Sequence, residues 1–325
     1  MGKSEVSRTS REHHWWPVGL QKYWEDPEGY IHFVKPSGEF DKKKRSRRKI
    51  GYKSHGHTVM RGTPFQAQFE DEFGDVDNRV HDILGRITES RLIGPLAAYF
   101  ASVAPRLMDS ERKLSDLCKT GLIEDAEYRL LLETLVALLL RSPSTRFFLE
   151  SFSMMVEPDE TEDVGKLNMR SRVELAKRVI SARVLPNFFF VFMISKGKKF
   201  FFGDGLLDAM TPALVGNSLR GHAFIPLKPN LAVYLCTPRR MKTDRNYASF
   251  LAPDWMVEEA NNITQIYSKE WLFFQGDQPS INESFRSSKF LQWKYHQSPL
   301  FDYLNEVANY GSYYRDLRGN IIERV

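Results

Sequence analysis

Cysteine is nearly absent. The 325 residues include two, Cys118 and Cys236, with no second thiol near either, so neither a disulfide framework nor a zinc ribbon is suggested. Long apolar runs are missing too. The longest, residues 130–140, is interrupted by Glu133 and Thr134 and is too short for the roughly 20 residues that cross a bilayer; it reads as a buried helix. Residues 1–11 carry Lys3, Arg8 and Arg11 with no apolar stretch behind them. They read as a disordered start without a secretory signal, and the expected location is the cytoplasm with no membrane insertion. No glycine-rich phosphate loop, dinucleotide fingerprint, nucleophile-elbow serine or kinase signature occurs. Nucleotide-driven, hydride-transfer and esterase chemistries therefore lose most of their support. No internal repeat is visible, which sets aside solenoids and propellers.

Positive charge is present, but in one place. The formal net charge is +5, and residues 42–49 read KKKRSRRK; without those seven basic residues the chain carries −2. Attraction to phosphate is thus expected at a single spot made of Lys42, Lys43, Lys44, Arg45, Arg47, Arg48 and Lys49. The competing reading of this run is a solvated hairpin flank.

The chain divides by its periodicity. After the aromatic segment HHWWP at residues 13–17, residues 30–34 (YIHFV), the turn KPSG at 35–38 and a return at 39–41 predict a hairpin. Phe69, Phe73, Val76, Val80, Ile83 and Ile87 recur at helical spacing, which predicts a long helix. Further helices are expected at 92–107, 112–120, 125–140, 145–155 and 171–183, with the acidic stretch PDETEDVG at 158–165 as an exposed loop. The run NFFFVFMI at 187–194 reads as a buried strand. Short strands are expected at 198–202, 223–227 and 231–235, and a long helix at 253–274. The expected fold class is α+β: an N-terminal hairpin, an α-helical middle and a C-terminal, mainly antiparallel sheet with a long helix. In these terms residues 12–275 form one core, comprising motif and hairpin (12–62), helical middle (66–183) and sheet with helix (186–275). Residues 276–325 form a Tyr-rich extension expected to pack on the core or on a partner, because Tyr295, Tyr303, Tyr310, Tyr313 and Tyr314 are too many aromatics for a linker.

Several of these pieces follow one another in a recognisable order. HHWWPVGLQKYW, the acidic helix from Phe69-Glu70 to Val76-Asp77, Arg141-Ser142-Pro143 with Arg146, Phe202-Gly203-Asp204, and the strand FIPLKP at 224–229 resemble the uncharacterised, mostly bacterial family known as domain of unknown function 4238. The resemblance covers roughly residues 12–274. It implies a role for Asp204 and transfers no activity. Gly203 and Gly205-Leu206 depart from the family's Ser and Asn-Pro at the same turn.

Candidate chemistry centres on carboxylates. Glu70 and Asp77 are seven residues apart, so both lie on one helix face beside the apolar stripe. If Asp204 approaches that face, the three carboxylates can hold Mg²⁺ or Mn²⁺ and orient water, with His14 as general base or leaving-group acid. This describes a hydrolase of nucleic acid or a nucleotide, such as a metal-dependent nuclease acting as a toxin or phage-defence effector. The plainer reading is that the acidic residues favour the N-terminal half of a helix and His14 packs beside Trp15 and Trp16. His55 and His57 alone are too few for zinc. Arg141 and Arg146, at a helix break around Pro143, can clamp phosphate or tie Glu70 and Asp77 into a structural ion network. The alternative to an enzyme is a non-catalytic module that binds nucleic acid through the basic run and protein through the Tyr-rich end. The two are separated by whether His14, Asp204 and Glu70 or Asp77 converge. The motif at 13–17 is expected to dock near Asp204, because its apolar surface is too large to stay in water.

Overall fold

Phe189–Ile194 lies inside a six-stranded sheet and is buried on both faces, which is why the run FFVFMI shows no polar alternation. The computed structural model describes residues 12–40, 45–54, 57–59, 67–68, 71–90, 92, 96–107, 114–154, 161–183, 186–212, 214, 219–239, 245–288, 297–309, 314–315 and 321–322. The sheet order is Lys119–Gly121, Tyr247–Leu251, Phe189–Ile194, Leu231–Cys236, His222–Lys228 and Leu207–Asp208. Neighbours are antiparallel except Tyr247–Leu251, which runs parallel to Phe189–Ile194. The fold is α+β, with a C-terminal sheet and a long helix following it.

Helices fill the middle of the chain. Asp71–Ser90 turns Phe73, Val76, Val80 and Ile83 inward, as their spacing predicts. Asp125–Arg141 is buried nearly all round from Leu131 onward and packs against Asp71–Ser90, Pro143–Met154 and Thr161–Ser181. A single apolar cluster contains Trp16, Leu135, Phe192 and Leu304, joining the N-terminal motif, the helices, the sheet and the helix Pro299–Asn309. In that last helix Leu300, Phe301, Leu304, Val307 and Ala308 are buried. Phe301 stacks on Tyr234, whose hydroxyl donates to Asn305. This part of the C-terminal segment therefore packs on its own core. Phe290, Trp293, Tyr295, Tyr310 and Tyr313 lie outside the described residues. Among the described residues no helix is long and apolar enough to cross a membrane.

Five local expectations are corrected. The strand expected at 198–202 is confined to Phe202–Gly203. The helix expected at 112–120 is replaced from residue 114 onward: a 3-10 turn, Leu114–Leu117, leads into the strand Lys119–Gly121, whose pairing with Tyr247–Leu251 outweighs helix propensity. The acidic stretch is only partly loop, since helix Thr161–Ser181 begins within it. Gly165 lets that helix approach Pro143–Met154, for a Cβ there would lie 2.6 Å from Cγ of Glu150. The helix expected at 253–274 stops at Tyr267 and the chain resumes as strand Leu272–Phe274. Finally, the hairpin return is reduced to a bridge between Val34 and Phe40, because the main partner of His32–Val34 is Leu272–Phe274, far along the chain.

That last pairing creates the platform beneath the site. Leu272–Phe274 is the central strand of a small antiparallel sheet, flanked by His32–Val34 and Phe202–Gly203. Trp16 stacks on Phe202 (4.5 Å between ring centroids) and lies 4.6 Å from Phe273. Trp15 also stacks on Phe202. The aromatic motif is thus docked on the strand that leads into Asp204.

Candidate functional site: a charged and aromatic cavity

Four pieces of chain meet around a cavity of about 330 Å³, within the roughly 300–1,000 Å³ of small-ligand sites. The first is the strand pair Glu12–His14 and Tyr52–Ser54, which are antiparallel with His13 opposite Lys53; His13, Trp15, Tyr52 and Lys53 face the cavity, joined by His57. The second is the break between Asp125–Arg141 and Pro143–Met154. Pro143 holds Ser142 in extended backbone and opens the next helix, and the Ser142 hydroxyl accepts from the Thr145 N–H, capping it. Arg141 and Arg146 are thereby set on either side of the break, with Phe147 and Glu150 a turn further on. The third is Asp204, and the fourth the loop of Lys269, Glu270 and Trp271.

Arg141 is fully buried and pairs with Asp77 through both Nη atoms, at 3.1 and 2.5 Å, with its guanidinium over the Phe73 ring. Its buried Nε–H has no partner among the described residues. Arg146 donates to Glu150 at 2.8 Å, and Lys269 sits over the Phe147 ring. His13 and His57 are stacked with centroids 5.3 Å apart, and the His57 backbone N–H donates to His13 Nδ1 at 2.7 Å. The neutral His13 tautomer that satisfies this bond carries its proton on Nε2.

Asp204 organises the cavity floor. Its two carboxylate oxygens accept from the backbone N–H groups of Lys269 and Glu270, at 2.8 and 2.9 Å, and its own N–H donates to the Trp271 carbonyl. These bonds draw the chain out of the helix after Ser268 and turn it into the strand at Leu272. Gly205 makes the close approach possible, since a Cβ there would fall on the Tyr267 carbonyl oxygen. Burial pushes the Asp204 carboxyl up to about 6 against the downward pull of the backbone donors at 269–271. Because its proton is then held more tightly in the folded chain than in the unfolded one, stability falls as pH rises from about 4 to about 6. The shift from 3.8 to about 6 limits the effect to about 3 kcal/mol. Melting temperatures of wild type and Asp204→Asn across this window should diverge: the wild type loses stability that the variant, already neutral, does not lose. Parallel curves would contradict this account.

The two described carboxylates of the sequence reading are engaged by other groups. Asp77 gives both oxygens to Arg141 and Asp204 gives both to backbone, while Glu70 lies outside the described residues. Among the described residues no group of three or more His, Cys, Asp or Glu is arranged to hold a metal ion. Asp77 and Arg141 form the structural ion pair instead. His14 does not line the cavity; it is half-buried, edge-on to Tyr52, and its neighbour His13 lines the wall. Asp204, Arg141 and Arg146 do come together. Of the basic run, Lys42, Lys43, Lys44 and the Arg48 side chain lie outside the described residues, and Arg47 lies 3.7 Å from Glu25.

Sequence reasoning misses Tyr52, Lys53, Lys269 and Trp271, which carry no motif. It favours His14 over His13 where only strand alternation separates the two. The nearby HGH triplet is a signal for His57, although its spacing by itself points only to a poor zinc site. No model of a known family, no curated protein and no solved structure matches the chain.

Proposed function

We propose that this chain is a cytoplasmic nucleic-acid- or nucleotide-binding protein whose recognition site is the cavity under the N-terminal motif. The observation that carries the reading is the cavity's composition. Lys53 and Lys269 supply positive charge for phosphate, beside an Arg146 already paired with Glu150, and Trp15, Tyr52 and Trp271 supply flat surfaces for a base. Membership of the domain of unknown function 4238 family is part of the proposal, since HHWWP, the Arg141 to Arg146 stretch and Asp204 all border this cavity.

A second reading, hydrolysis of the bound phosphoester, is favoured by the stacked His13 and His57. With His13 Nδ1 engaged, His57 is the better candidate for moving a proton and His13 Nε2–H for donating to a phosphate oxygen. This replaces His14 in the catalytic role.

Titration calorimetry with adenosine and uridine monophosphates, alongside inorganic phosphate, tests the first reading. Binding should weaken about tenfold on Lys269→Gln or Lys53→Gln, the loss expected for one charged hydrogen bond. No binding of any of the three at millimolar concentration would reject it. End-labelled RNA and DNA incubated with the protein in EDTA test the second: cleavage abolished by His57→Asn supports hydrolysis, and intact strands leave the binding reading alone.

A further inference from the structure

A second cavity, of about 250 Å³, adjoins the first and shares Trp15, Tyr52 and Trp271 with it. Its remaining lining includes Arg45 and Lys49, the two ends of the described part of the basic run. Arg45 is not on a loose flank: its backbone bridges to Ile31 and its guanidinium lies over the Phe33 ring at 5.4 Å. Lys49 closes the 3-10 turn Arg47–Lys49 and is exposed. Charge and aromatic surface therefore alternate across the two cavities, with Arg45 and Lys49 at one end, the shared aromatic wall in the middle, and Lys53, Lys269 and Arg146 at the other.

Resting on the reading just given, we propose that the two cavities form one track for a single-stranded nucleic acid, with one nucleotide in the histidine-lined cavity and its neighbour against Arg45 and Lys49. A lone nucleotide needs only one charged subsite, whereas two subsites separated by an aromatic wall fit consecutive phosphates with bases stacked between them. A duplex hides its base faces in its own stack and cannot use Trp15, Tyr52 and Trp271 in this way. The track also gives part of the concentrated positive charge a place in recognition, because Arg45 and Lys49 line the cavity that shares this wall.

The test compares the full chain with Arg45→Gln/Lys49→Gln, using fluorescence anisotropy for a single-stranded oligonucleotide of about eight residues and calorimetry for a mononucleotide. The wild type should bind the oligonucleotide at least tenfold more tightly than the mononucleotide or a duplex of the same sequence. The double variant should lose that advantage and keep mononucleotide affinity. Its salt dependence should become shallower by about 1.4 in log–log slope, at about 0.7 for each phosphate no longer neutralised. Lys49→Glu, at an exposed position, provides the same readout if the Arg45 change disturbs folding. Equal affinity for oligonucleotide and mononucleotide, tighter duplex binding, or an unaffected variant would overturn the track while leaving the single-site reading intact. Failure of every nucleotide form to bind would overturn both.

Discussion

Replacing Asp77 with Ala is expected to destabilise the fold by about 3–5 kcal/mol, the range for removing one partner of a buried ion pair. The cost should exceed that of Arg141→Met. The reason is asymmetry in burial: the Arg141 side chain is fully buried, whereas that of Asp77 is 28% exposed. Without Asp77, a guanidinium is left in the core between Phe73 and the end of the helix Asp125–Arg141, with one weak contact to the His14 carbonyl at 3.5 Å. Without Arg141, the carboxylate can still reach water. Asp77→Ala combined with Arg141→Met should recover most of the loss, because the buried guanidinium left unpaired by Asp77→Ala is then gone. Urea denaturation of the two single variants and the double variant measures all three values. Equal single losses that simply add in the double would show that the two residues are not coupled as the geometry requires.

Trp16→Ala is the second large effect, about 3–5 kcal/mol for a fully buried tryptophan. Trp16 packs on Phe202, Phe273 and Trp24, its backbone N–H donates to the Gly51 carbonyl, and its own carbonyl accepts from Gln21. The residue therefore fastens three things at once: the N-terminal strand, the segment around Gly51, and the small sheet that leads into Asp204. Because His13 and Trp15 belong to the same strand and turn, loosening this anchor should also weaken nucleotide binding at temperatures where the variant is still folded. Trp16→Phe keeps part of the stack and should lose less on both counts. A Trp16→Ala protein with wild-type melting and wild-type affinity would mean that the motif is not what holds the cavity wall.

Elements whose causes are local were legible in the sequence. The 4, 3, 4, 3 spacing of Phe69 to Ile83 specifies a helix with one buried face, and the structure places Phe73, Val76, Val80 and Ile83 on it. The unbroken FFVFMI run specifies a strand covered on both sides. Ser142-Pro143 specifies a helix break, since proline fixes the residue before it and suits the start of the next turn. The aromatic HHWWP segment has to dock because its surface is too apolar for water.

Which polar groups meet is a property of the assembled fold. Asp77 and Arg141 are 64 residues apart, and nothing local distinguishes a carboxylate that holds a guanidinium from one that holds a metal. The stop of the last long helix at Tyr267 is imposed by Asp204, more than 60 residues earlier, through hydrogen bonds that no propensity at 253–274 encodes. The choice of His13 over His14 depends on which face of a three-residue strand lies toward the cavity. That is set by its pairing with Tyr52–Ser54 and by the seating of Trp16 on Phe202. The second cavity was equally invisible in sequence, because the strand His32–Val34 had to find Leu272–Phe274 before Trp271 could stand between Lys53 and the basic run. Local periodicity fixes where side chains point along one element; long-range pairing fixes what they point at.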